Sequence, residues 1–267
     1  MRIRTLLTAA LLTALPLSGA LAKDAALAKA VADPNRTPTL VARDKYRHPQ
    51  EVLEFAGIKP TMTVVEVSPG GGYWTEILGP YLKDKGTYYT AMVPPGASEN
   101  AKKAVDNWTK KLADNKAHWG DVKLTEFGKG SYDIAPAGSA DLVITSRNVH
   151  NWMGQGFAED AFAGFYKALK PGGILSVEEH RGPADQPQDP KAANGYVRED
   201  HTVELAKKAG FKLVSRSEAL ANKKDTKDWP KGVWTLPPTL ALGDQDRDKY
   251  LAIGEADNFL LKFRKPN

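Results

Sequence analysis

Residues 61–72 read TMTVVEVSPGGG, and no other stretch limits so tightly what this chain can fold into. Thr61 to Val67 is short and rich in β-branched residues, as a strand buried on both faces is. Three glycines follow, and Trp74, Ile77, Leu78 and Tyr81 then recur at helical spacing. Glycines where a strand feeds a helix let the backbone approach a ligand closely. The free N–H groups at the helix start then favour a carboxylate or phosphate. An acid at the strand end, Glu66, is placed to hold an ammonium or a ribose hydroxyl.

Further strand and helix patterns follow in alternation. GTYYTAMV (86–93) reads as a strand, 101–113 as a helix, and DVKLTEF (121–127) as a strand. A strand at 141–145 precedes a helical stripe of Ala158, Ala161, Phe162, Phe165 and Leu169, and another strand begins at Gly173. A helix over 200–209 stops at Gly210, FKLVSR follows as a strand, and NFLLKFRK closes the chain as another. Such alternation predicts an α/β fold: a Rossmann-like, mostly parallel sheet with helices on both faces. Ahead of it, Pro49 suits a first helical position, with Val52, Leu53 and Phe55 as the apolar face and Gly57 as the stop. Residues 23–38 read as a loose lead-in to a single domain over 39–267. The stretch 217–250, with Trp229, Trp234 and Pro237, is too long for a plain connection and is expected to form a lid or rim.

The glycine loop leaves three ligand classes to weigh. A P-loop is excluded because no Gly-Lys-Ser/Thr closes it, and the dinucleotide fingerprint is incomplete because Thr75 stands where its third glycine belongs. The third class is S-adenosylmethionine. Glu66-x-Ser68-x-Gly70-x-Gly72 resembles motif I of the class I S-adenosylmethionine-dependent methyltransferases, with serine in place of the first glycine. Leu169-Lys170-Pro171-Gly172-Gly173 resembles that family's turn into its fifth strand. RDKYRHPQEVLEFAGIKP, SRNVHNW and KDWPKGVWTLPP look like an exported bacterial branch of it. The resemblance implies a seven-stranded sheet with an antiparallel last strand, and S-adenosylmethionine held by Glu66, Ser68, Gly70, Gly71 and Gly72. One feature departs from the pattern. The family's acid at the end of the second strand, which grips the cofactor's ribose, has no counterpart among Ala91, Met92 and Val93.

Ligands of open α/β sheets bind beyond the carboxyl ends of the strands, which draws Arg147-Asn148-Val149-His150-Asn151-Trp152 and Glu178-Glu179-His180-Arg181 toward one cavity. His150 and His180 are the candidate bases for methyl transfer. Arg147, Asn148, Trp152, Arg181 and Tyr196 are the candidate substrate contacts, with Trp152 as a pocket wall. Asp200 reads as a helix cap. The five histidines, His48, His118, His150, His180 and His201, show no helical ligand spacing, and no metal centre is expected. Only folding can bring His150 and His180 together with Glu178 or Glu179. The expectation is a methyltransferase acting on a small substrate. The missing acid keeps open a non-catalytic exported binding protein of the same fold.

Composition narrows the setting. An apolar share of 42% provides for a core, and the absence of cysteine excludes disulfides, thiolate nucleophiles and cysteine-ligated metals. Residues 1–22 have a basic start, an apolar run and Ala20-Leu21-Ala22, the pattern of a cleaved signal peptide. That run is too short to span a bilayer. The expected setting is therefore periplasmic or secreted, without stable membrane insertion after cleavage. Loss of Arg2 and Arg4 lowers the formal charge from +5, and acids and bases are interspersed elsewhere, so no nucleic-acid footprint is visible. Intact-mass analysis of the exported protein is expected to find Lys23 at the amino terminus; a mass that retains residues 1–22 contradicts the signal peptide.

Overall fold

The computed structural model describes residues 24–267, so the expected signal peptide lies outside the described residues. Seven strands form one sheet: β1 (Thr63–Val67), β2 (Thr87–Met92), β3 (Lys123–Glu126), β4 (Ala140–Ser146), β5 (Leu169–His180), β6 (Lys212–Ser217) and β7 (Asn258–Arg264). Their spatial order is β3-β2-β1-β4-β5-β7-β6. All run parallel except β7, which pairs antiparallel with both β5 and β6. This is the Rossmann-like arrangement that the element order implies, with the reversed last strand that the resemblance implies. β5 starts earlier than its Gly173 estimate, because Leu169 already pairs with Ala140 before the register shifts at the Pro171–Gly173 turn.

The strands are apolar on both faces because both faces are covered. Val65, Val67 and Val143 point to one side, into a core shared with the helices Val149–Gln155, Ala158–Ala168 and Glu199–Lys208. Val64, Leu142 and Ile144 point to the other, against the helices Ala25–Val31, Pro49–Ala56 and Thr75–Leu82. This is the two-residue alternation of a strand. Glu66 shares a face with Val64, so its carboxylate is pressed between the sheet and the helix Thr75–Leu82.

One segment differs from its sequence expectation. The lead-in is not loose: residues Ala25–Val31 are helical, capped by Asp24, which accepts from the N–H of Ala26 and Leu27 at 2.9 and 3.0 Å. Leu27 and Ala30 are buried, and the Tyr81 hydroxyl donates to Asp24 at 2.5 Å. The segment that read as a loose lead-in contains a helix whose alanines and leucine pack against the core. The stretch 217–250 is packed down as well, with Val233 and Leu236 in an apolar cluster with Tyr196, Tyr250 and Ala256. If the first helix is part of the core, Leu27→Ala should lower unfolding free energy by about 2–5 kcal/mol in urea titration; an unchanged midpoint would return residues 25–31 to the status of a linker.

Candidate functional site

The strand order reverses between β1 and β4, and a cavity of about 240 Å³ opens at their carboxyl ends. Both strands end in a left-handed residue that is not glycine: Ser68 at φ 57° and Arg147 at φ 60°. Each is tied to the neighbouring strand as it leaves the sheet, Ser68 N–H to Ala91 O at 2.9 Å and Arg147 N–H to Glu178 O at 2.7 Å. Such backbone costs on the order of 1–3 kcal/mol and is characteristic of ligand clamps. Ser68, Pro69, Gly70 and Gly71 line the cavity. Among the described residues the N–H groups of Gly70 and Gly71 meet no acceptor, and a Cβ on either glycine would touch nothing within 4 Å.

Glu66 borders the cavity and is 2% exposed. Its Oε2 accepts from the Thr75 hydroxyl at 2.6 Å and from the Tyr88 hydroxyl, which leaves Oε1 without a partner among the described residues. Burial pushes its pKa up to about 7, against the pull of these two hydrogen bonds and of Lys111.

Three arginines, Arg43, Arg47 and Arg147, also line the cavity. They converge on one buried carboxylate, Glu255. Arg43 donates from Nε and Nη2 at 2.5 and 2.9 Å, Arg147 from Nη1 at 2.5 Å, and Arg47 Nε stands 3.8 Å away. The Arg47 guanidinium also lies 4.4 Å from the centre of the Tyr73 ring. Glu178 adds a second buried acid 3.7 Å from Arg147 Nε, its pKa raised by burial against the charge of Arg147. Three guanidinium groups against Glu255 and Glu178, the latter with its pKa raised by burial, leave this wall attractive to an anion.

Of the expected site residues, Glu66, Ser68, Gly70, Gly71, Arg147 and Asn148 meet at this cavity. Gly72 does not: a Cβ there would lie 3.2 Å from the Trp108 ring, so its role is to let the helix Glu99–Asp114 pack closely. Trp152 is a core residue rather than a pocket wall, edge-on to Phe127 and Phe165 at 5.1 and 5.4 Å. Arg181 is taken up by Glu199, Glu218 and Asp257 at 3.1, 2.7 and 3.4 Å. The Tyr196 hydroxyl donates to Asp225 beneath the 217–250 segment. His150 and His180 come together, with ring centres 5.4 Å apart, but neither borders the cavity. Sequence reasoning missed Arg43, Arg47, Tyr73 and Glu255. Arg43 and Arg47 stand four residues apart in RDKYR, a spacing that places two cations on one helical face, whereas Glu255 carries no local signal.

No protein-family model matches the sequence, and no curated protein matches it. Solved structures do. A SAM-dependent methyltransferase from Aquifex aeolicus is 17% identical, with 84% of this chain and 93% of that one covered, at a TM-score of 0.56. The [4+2]-cyclase SpnF is also 17% identical, covering 90% and 91%, at 0.57. The chain has the methyltransferase fold. A possible exported protein from Bordetella parapertussis shares it at 17% identity and a TM-score of 0.50, over 87% of this chain and 71% of that one. A cyclase among these structures shows that the methyltransferase fold serves more than one chemistry.

The raised pKa of Glu66 has a consequence for stability. The folded chain holds that proton more tightly than the unfolded one, so the stabilisation is fully present below pH 4.5 and lost as pH rises through about 7. His180, kept neutral by burial and then by Arg147 and His150, works in the opposite direction, so wild type must be compared with Glu66→Gln. The stability of wild type relative to this variant is expected to fall between about pH 4.5 and about pH 7 in urea titrations; a constant difference contradicts the buried, protonated carboxyl.

Proposed function

We propose that this chain is an exported S-adenosylmethionine-dependent methyltransferase acting on a small substrate. The observation that carries the reading is the opposition of charges across the switch-point cavity. Glu66, with its free Oε1, the Gly70 and Gly71 N–H groups and three arginines line it together. An α-amino acid is a zwitterion, and this set complements both of its charges. The residues therefore fit the methionine half of the cofactor: Glu66 to receive the ammonium, and the loop N–H groups with Arg43 or Arg147 to receive the carboxylate. When bound, the cofactor supplies an electrophilic methyl group.

The chain's own residues then divide the work. The buried Glu66 ionises when a cation pairs with it, because the partner's charge offsets the desolvation that holds the proton. Thr75 and Tyr88 keep its carboxylate aimed by donating to the other oxygen. Arg147 and Asn148, at the end of β4, bound the side from which a second reactant would approach. His150 and His180 stand behind this wall, so removal of a substrate proton is not assigned to them.

The ribose half fits less well. β2 ends in Ala91 and Met92, without a carboxylate, and no β2 residue lines the cavity. This favours a second reading, an exported binding protein for a small anionic or amino-acid ligand that retains the fold without methyl transfer. Calorimetry of the full chain with S-adenosylmethionine and with S-adenosylhomocysteine separates the two. The methyltransferase reading predicts saturable binding of both, and Met92→Asp should tighten it by about tenfold by restoring charge-assisted bonds to the diol. Absence of binding at millimolar ligand, in wild type and variant alike, supports the binding protein.

A further inference from the structure

The two histidines that the cavity leaves aside make a site of their own. Glu179, at the end of β5, is fully buried and accepts from the N–H of His150 and of His180 at 3.1 and 2.8 Å. Its Oε1 also lies 2.9 Å from His150 Nδ1. His180 Nδ1 lies 2.7 Å from Asn258 Oδ1, and the amide of Asn258 is oriented by its own bond to Ala256 O at 3.0 Å. Both partners are acceptors, so without an ion each Nδ1 carries the proton. A cation held by Glu179 Oε1 would take the place of the His150 Nδ1 proton, which is displaced on binding, while His180, its Nδ1 held by Asn258, offers the lone pair of Nε2. Among the described residues neither Nε2 has a hydrogen-bond donor, although the two rings are 6% and 8% exposed.

We propose that His150, His180 and Glu179 bind one divalent transition-metal cation, zinc foremost, at a site distinct from the glycine-loop cavity. One ligand atom from each of the three residues lies within 4.8 Å of the other two. A point within about 2.8 Å of all three therefore exists, and a contraction of under an ångström reaches the roughly 2.0–2.2 Å of zinc bonds to imidazole and carboxylate. Two neutral nitrogens and one carboxylate suit zinc, copper or nickel better than magnesium or calcium, which prefer all-oxygen shells. An acceptor holding the second ring nitrogen, here Asn258 for His180, is the usual support of a metal-binding imidazole. Three protein ligands leave one position of a tetrahedral ion open. Trp234, with its ring 6.0 Å from His150, and Tyr196, 6.4 Å from His180, cover the rings. Through Trp234, this gives the packed 217–250 segment a place beside the histidine pair rather than over the cavity.

The test uses the full chain, stripped by a chelator and titrated with zinc alone, so it does not depend on any cofactor. About one zinc per chain after gel filtration, with a higher melting temperature, is the expected result. His150→Gln and His180→Gln should each weaken binding by more than about tenfold, while His48→Gln and His201→Gln leave it intact. Wild-type stoichiometry far below one, or full retention in both site variants, overturns the proposal. Should the site variants fail to fold, the wild-type melting temperature decides, and no response to zinc overturns it.

Discussion

At the carboxyl ends of β1 and β4 the chain departs to opposite sides of the sheet, and the chemistry of the molecule gathers in the gap this opens. The gap exists because a parallel sheet that grows outward from its centre must reverse direction once. Its walls are backbone as much as side chain. Ser68 and Arg147 leave their strands in left-handed conformations, which turns the glycine loop on one side and the Arg147–Asn148 segment on the other toward the same space.

Charge in this gap is held by burial rather than by solvent. Glu255 ties Arg43, from the segment before the sheet, to Arg147 at the end of β4, and so joins parts of the chain far apart in sequence. Ion pairs of this kind are weak evidence for stability, because desolvation offsets most of the Coulomb gain, but loss of one partner leaves an uncompensated charge. The cluster is better understood as fixing the position of three guanidinium groups around a cavity. Glu66 borders the same cavity with a carboxyl whose pKa burial raises, so that it keeps or releases its proton according to the charge of what pairs with it.

Much of the fold was legible because its signals are local. β1 and β4 read from short runs rich in β-branched residues, and the TMTVVEVSPGGG stretch reads as strand, glycine turn and helix start. The lead-in was misread because alanines serve a linker and a tightly packed helix equally well; only Leu27 and Ala30 in contact with the core distinguish them. The site was legible where backbone geometry sets it, at Glu66, Ser68, Gly70, Gly71, Arg147 and Asn148. It was not legible where tertiary packing decides: Trp152 turned into the aromatic core, Arg181 into a surface ion-pair cluster, and Tyr196 beneath the late segment. Glu255 and Asn258 have no pattern in sequence, since their roles come from long-range partners. His150 and His180 were noticed as bases. Their partners Glu179 and Asn258 instead set them around one buried carboxylate, with His180 oriented by Asn258.

The central claim is that the charges across the switch-point cavity are set for the amino-acid end of an adenosyl cofactor. The most direct measurement is a crystal structure of the full chain with S-adenosylhomocysteine. The predicted result places its ammonium beside Glu66 Oε1, its carboxylate on the Gly70–Gly71 N–H groups or the arginines, and its adenosine toward the end of β2. A cavity without ligand at saturating concentration, or a ligand seated elsewhere on the chain, would contradict the account.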